Sequence, residues 1–260
     1  MVLTSGCGRG SAAGASGPAA PPPSVGTQVN MPLPDRIARL PLVDSTGRQR
    51  TLASLRGTAW MLIPGMTLCQ EACPLGTASL IETARRVNAA GAGSRIRFVT
   101  VTVDPQRDSS AQLAAYKALF SPVPANWLTM TGKPADVAAL WTTLGVYTEK
   151  IVDDGQGPQP RNWRTGSPLT YDVAHSEQVF FFDAQQRERF VLSGLPYLAS
   201  KKTVPKTIYT FMTDKGRREL NRPGPDGWTV SQAVDVLSWL TGEQIPTTTA
   251  RTTTTTPATR

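Results

Sequence analysis

The chain is poor in histidine and cysteine: of its 260 residues one is a histidine, His175, and three are cysteines, Cys7, Cys69 and Cys73. Three cysteines cannot staple a chain of this length into a disulfide scaffold, so their positions matter more than their number. Any site that needs an imidazole must use His175. No run of about twenty apolar residues occurs, so the chain as written has no membrane-spanning helix. The net charge is +8, yet neither an aromatic-interleaved RNA motif nor zinc-finger spacing accompanies it, so no nucleic-acid partner is expected. The basic excess gathers at Lys201, Lys202, Lys206, Lys215, Arg217, Arg218 and Arg222. It reads as a solvated basic loop that could meet a membrane surface or an acidic protein partner.

Both ends are low in complexity. Residues 1–32 are dominated by Gly, Ala, Ser and Pro and are expected to form a disordered tether, and the Thr-rich residues 246–260 a disordered tail. With 40% hydrophobic residues a buried core is affordable, and one domain over 33–245 is expected. Cys7 follows Leu3-Thr4-Ser5-Gly6, which looks like the small-residue end of a bacterial lipoprotein signal. The charged and apolar segments that normally precede such a signal are missing. Two readings stand: a lipid anchor on a chain whose start lies further upstream, or an ordinary thiol in a flexible tail.

Between the ends, residues 40–48 hold two short apolar stretches around Ser45-Thr46-Gly47 and predict an N-terminal β-hairpin. Residues 58–63 are a compact apolar run of strand length that leads into the Cys69/Cys73 loop. From Pro74 the residues Leu75, Ala78, Leu80, Ile81, Ala84 and Val87 recur at helical spacing, with glycine at 91 and 93 as the stop. Residues 96–103 predict a buried strand ending at Asp104-Pro105, and Ser109 or Ser110 caps a second helix. A short strand at 127–130, a helix opened by Lys133-Pro134 and closed at Gly145, a strand pair at 179–183 and 190–192, and an amphipathic helix at 231–240 complete the pattern. Strands alternating with helices specify an α/β sandwich around a central mixed sheet flanked by helices. Residues 147–170 and 194–228 read as long irregular segments and as candidate partner surfaces.

The residues that carry chemistry are Cys69-Gln70-Glu71-Ala72-Cys73-Pro74, placed between a buried strand and a helix start. Backbone N–H groups at a helix N-terminus favour negative charge, so thiols here are expected to have lowered pKa values. Paired soft thiolates suit Cu(I), or the pair can close into a disulfide; two thiolates alone leave a metal under-coordinated relative to a three-ligand site. Asp104 and Arg107 have an ordinary reading as a strand-ending turn with an ion pair, and a functional one in which Asp104 orients the cysteine site or helps a partner dock.

Taken in order, Cys69-Gln70-Glu71-Ala72-Cys73-Pro74, then Val103-Asp104-Pro105-Gln106-Arg107-Asp108, then Val173-Ala174-His175-Ser176 resemble the CxxxCP, VDPxRD and histidine motifs of the Sco/SenC family of copper chaperones. The resemblance covers about residues 40–193 and the last helix. It implies a thioredoxin-like fold and a copper site, for Cu(I) or Cu(II), formed by Cys69, Cys73 and His175, with Glu71 and Asp104 as neighbouring polar groups. It also implies copper delivery to a CuA-type site of a respiratory oxidase subunit, in an extracytoplasmic, membrane-anchored setting in the bacterial cell envelope, with an external thiol reductant. The alternative is a thiol-disulfide oxidoreductase in which Cys69 and Cys73 are the catalytic couple that reduces partner cysteines. Thioredoxin-like reductases use CxxC and a cis-proline facing it; here the spacing is CxxxC and His175 has no adjacent proline. The chain departs from the family at Gln70-Glu71, where Pro-Asp is common, and at Met66, where an aromatic residue is.

Overall fold

The computed structural model describes residues 17–156, 159–220 and 227–247. In chain order its main elements are β1 (Thr27–Pro32), α1 (Asp35–Ala38), β2 (Leu42–Asp44), β3 (Gln49–Arg50), β4 (Ala59–Gly65), α2 (Cys73–Ala89), β5 (Ile96–Thr102) and α3 (Ser110–Leu119). There follow β6 (Trp127–Gly132), α4 (Pro134–Thr143), β7 (Thr148–Val152), β8 (Tyr171–His175), β9 (Gln178–Phe182), β10 (Arg187–Ser193), α5 (Lys206–Phe211), α6 (Asp214–Glu219) and α7 (Val230–Thr241). Eight strands form one mixed sheet in the order β1-β10-β9-β4-β5-β6-β2-β3. Its centre, β4, β5 and β6, is parallel, and the flanking pairs are antiparallel.

Every residue of β4 is buried, as a central strand covered on both faces requires. Alternation sorts its side chains: Met61 and Ile63 join the core under α2 and α7, while Trp60 and Leu62 join the core under α1 and α4. Trp60 stacks on Phe182 of β9 at 3.9 Å and 6°, adding about 0.5–1.5 kcal/mol to its burial. Ser109 caps α3 through the Gln112 N–H, Gly145 ends α4 at φ +71°, and Thr229 and Gln232 form a capping box on α7. The β2–β3 hairpin turns on Asp44, which accepts from the Thr46 and Arg48 N–H groups and pairs with Arg50.

Three expectations need correction. The folded part begins before residue 33: Thr27–Pro32 is an edge strand paired with β10. Its side chains are almost all exposed, so the backbone ladder holds it and no apolar alternation announces it. Gly26 leads into this strand; a Cβ there would sit 2.5 Å from the Val191 carbonyl oxygen. Residues 147–170 are not all loop, because β7 pairs with β8 in a separate two-stranded sheet. β7 is exposed along its whole length, so it carries no core-facing pattern. Residues 194–228 contain the short helices α5 and α6, each too brief to show helical periodicity. Cys7, Arg222 and most of the expected tail lie outside the described residues. Among the described residues no helix is long and apolar enough to cross a membrane.

Candidate metal centre

β4 delivers the chain to the cysteine loop and α2 carries it away, so Cys69 and Cys73 sit at the junction of a buried strand and a helix N-terminus. Both are free thiols, 8% and 3% exposed. The Cys73 N–H donates to Cys69 Sγ at 3.3 Å, one of the otherwise unpaired donors of the first helical turn. His175, at the end of β8, presents Nε2 3.2 Å from Cys73 Sγ, with its side chain only 3% exposed. Its Nδ1 lies 3.2 Å from the Ser176 carbonyl oxygen. Glu177 joins them: Cys73, His175 and Glu177 offer one ligand atom each within 4.8 Å of one another, a group that does not include Cys69.

The cysteine loop is tethered from beneath by Asp108. Its buried carboxylate accepts from the Thr67 N–H at 3.1 Å, from the Thr67 hydroxyl, and from the Thr102 hydroxyl at 2.6 Å. Gln112 Nε2 donates to Thr67 Oγ1, and Trp163 Nε1 to the Thr67 carbonyl at 2.8 Å. Burial pushes the Asp108 carboxyl up to about 6, against the hydrogen bonds from Thr102 and Thr67 that favour its charged form.

Asp104 acts elsewhere than beside the cysteines. It pairs with Arg107 and accepts from the Tyr171 hydroxyl at 3.0 Å, while Arg107 donates to the Tyr171 carbonyl and lies 3.7 Å over its ring. The turn therefore steadies β8, the strand that ends in His175. Glu71 is not among the clustered ligand atoms and pairs with Lys215 of α6 at 2.6 Å. Gln70 Nε2 donates to the Phe211 carbonyl at 2.8 Å, and the Thr213 N–H donates to the Gln70 carbonyl at 3.0 Å. The residues that differ from the family's usual Pro-Asp are thus the ones that hold α5 and α6 over the loop.

The expectation of lowered thiol pKa values is corrected for Cys73. Burial pushes this thiol well above its ordinary value, and the adjacent Cys69 thiol and the Glu177 carboxyl push the same way. A helix terminus contributes about 0.3–1 kcal/mol, whereas full burial of an ionisable group shifts its pKa by up to about 3–5, several times as much. Burial also raises the Glu177 carboxyl, opposed by His175.

Asp108 and Glu177 were missed in the sequence. Asp108 closes the same Asp-Pro-Gln-Arg-Asp segment that drew attention to Asp104, and Glu177 lies two positions after the single histidine. Thr67, Tyr171 and Trp163 gave no signal, since their roles depend on contacts across 41, 67 and 96 residues.

Fold and site together define a thioredoxin-like α/β protein with two thiols, an imidazole and a carboxylate at a strand–helix junction. Residues 34–213 match the SCO1/SenC family, and the chain belongs to it. It is 32% identical over 106 residues to the mitochondrial SCO2 homolog of Bos taurus, covering 41% of this chain and 39% of that one. To the SCO1 homolog of Bacillus subtilis it is 27% identical over 107 residues, covering 41% and 54%. The chain thus matches about two fifths to one half of the length of these relatives. Among solved structures, a protein of Aquifex aeolicus VF5 superposes with a TM-score of 0.50 at 20% identity, covering 69% of this chain and 94% of that one.

Proposed function

We propose that the protein binds one copper ion through Cys69, Cys73 and His175 and passes it by ligand exchange to a thiolate-bearing acceptor, an oxidase subunit with a CuA-type site, outside the cytoplasm. The observation that carries this reading is the approach of the only imidazole in the chain to a free, buried dithiol, at 3.2 Å from Cys73 Sγ. Two sulfurs and one nitrogen are soft enough for Cu(I), and three ligands leave a position at which an acceptor thiolate can attack. Membership of the SCO1/SenC family supports the same reading. Binding releases the thiol protons, so affinity rises with pH until both sulfurs are deprotonated. Attachment to the bacterial envelope through Cys7 belongs to this proposal. So does an anionic surface or acidic partner for the basic segment, of which Lys215 and Arg217 are already paired with Glu71 and Asp214.

A second reading rests on the two thiols being free neighbours. In it Cys69 and Cys73 form a disulfide, losing two protons and two electrons, while a disulfide of the partner takes them up as two thiols; an external thiol reductant restores the couple.

Copper stoichiometry of the reduced protein tests the first reading, with Cys69→Ala, Cys73→Ala and His175→Ala beside the wild type. One copper per chain, sharply weakened in each variant, is the expected result. A wild type that binds no copper, or a His175→Ala variant that binds as well as wild type, overturns it and makes the Cys69/Cys73 reduction potential the next measurement.

A further inference from the structure

The donor atoms that converge around His175 include one that the proposed three-ligand site does not use. A carbonyl oxygen can only accept, so the 3.2 Å approach of the Ser176 carbonyl to Nδ1 places a proton on Nδ1 and leaves Nε2 as the ring nitrogen available to a metal. Nε2 faces Cys73 Sγ at 3.2 Å and Glu177 Oε1 at 3.7 Å. A carboxylate that served only to orient the imidazole would face the protonated nitrogen, as it does behind metal-bound histidines. Glu177 faces the other one. Sulfur, nitrogen and oxygen donors therefore converge on one point, and a cation there, whether a metal ion or the proton of an imidazolium, is what the arrangement accommodates. Among the described residues no hydrogen bond occupies the Glu177 carboxylate. A first-row metal holds nitrogen and oxygen at about 2.0–2.2 Å and sulfur at about 2.3 Å, which separates neighbouring ligand atoms by roughly 3–4 Å. The separations of Nε2 from Cys73 Sγ and from Glu177 Oε1, 3.2 and 3.7 Å, fall in that interval.

We propose that Glu177 is a fourth ligand, which completes the site for Cu(II). The oxidised ion takes four donors in a tetragonal arrangement and accepts hard oxygen, whereas Cu(I) is satisfied by soft sulfur and imidazole. Glu177 therefore sets the site's relative affinity for the two oxidation states. This inference rests on the copper site proposed above.

The test titrates wild type, Glu177→Gln and Glu177→Asp separately with Cu(I), in competition with a chromophoric chelator, and with Cu(II), followed by electron paramagnetic resonance. The expected result for Glu177→Gln is a Cu(II) affinity lower by about tenfold or more with an altered copper hyperfine pattern, while Cu(I) affinity is unchanged. Glu177→Asp recovers part of the loss, and it carries the test if the amide variant does not fold. Unchanged Cu(II) affinity and spectrum overturn the assignment. So does an equal loss for both ions, which marks Glu177 as a residue that only positions His175. A wild type that binds neither ion overturns the copper reading itself, before any Glu177 variant is compared.

Discussion

The sulfur side and the imidazole side of the cluster are held by different means. Cys69 and Cys73 follow β4, buried at every position and hydrogen-bonded to a strand on each side, and their loop is tied down by Asp108, Trp163 and α6. His175 ends β8, whose partner β7 is exposed at every position and lies outside the main sheet. An isolated two-stranded ribbon has little stability of its own, so the Asp104–Arg107–Tyr171 contacts supply much of what holds it. For the proposed copper site the difference predicts which ligand lets go. Low local stability belongs to the imidazole side and high local stability to the sulfurs, a division that would suit the proposed transfer, in which the thiolates hold the ion while the imidazole yields to an incoming ligand.

The severest way to break this comparison is Asp108→Ala, which strands the Thr67 N–H and the Thr67 and Thr102 hydroxyls in a buried place. A loss of about 3 kcal/mol or more is expected from urea unfolding. Asp108 also links stability to pH. Its folded value of about 6 lies above the ordinary 3.8, so the folded state holds the proton more tightly. Its contribution is full below about pH 4 and is lost as pH rises to and through about 6. Unfolding of wild type and Asp108→Asn across that range should show the wild type losing stability relative to the amide as pH rises; a constant difference contradicts the linkage.

Next in size is Gly216→Val. A Cβ at this position would lie 2.4 Å from the Gln70 carbonyl oxygen and 2.8 Å from Glu71 Cα, so α6 must lift from the cysteine loop. About 1–3 kcal/mol of destabilisation is expected, with faster reaction of Cys69 and Cys73 towards a thiol reagent, measured with Cys7 replaced by serine. Unaltered thiol kinetics would show that α6 does not shield the sulfurs. Tyr171→Phe sharpens the contrast from the imidazole side. It removes the hydroxyl that binds Asp104, about 0.5–1.5 kcal/mol, and hydrogen exchange should quicken in β7 and β8 with β4 and α2 unchanged. Smallest is Lys215→Ala: its partner Glu71 and Lys215 itself are 36% and 61% exposed, so thermal unfolding should register less than about 1 kcal/mol.

How far the sequence could be read followed from burial. β4, β5, α2, α4 and α7 announce themselves because each must set apolar side chains against the sheet or fill its centre, and that requirement imposes a period of 2 or 3.6 or an unbroken apolar run. β1 and β7 bury almost nothing, so their strand character lies in backbone pairing with β10 and β8, which no single segment encodes. The candidate site divides in the same way. The Cys69–Cys73 spacing and the single histidine are visible as letters, but the turning of Glu71 to Lys215 and the arrival of Glu177 beside Nε2 depend on where α6 and the start of β9 pack.

By itself the sequence determined the alternation of strands and helices, the placing of two thiols at a strand–helix junction and the identity of the one imidazole able to join them, because these follow from local pattern and residue chemistry. Tertiary structure alone decided that Asp108 tethers the loop, that Asp104 steadies the histidine strand, and that burial raises the Cys73 thiol where the helix end would lower it. The reason is that each of these depends on which distant groups exclude water from a given atom, and distance along the chain carries no record of that.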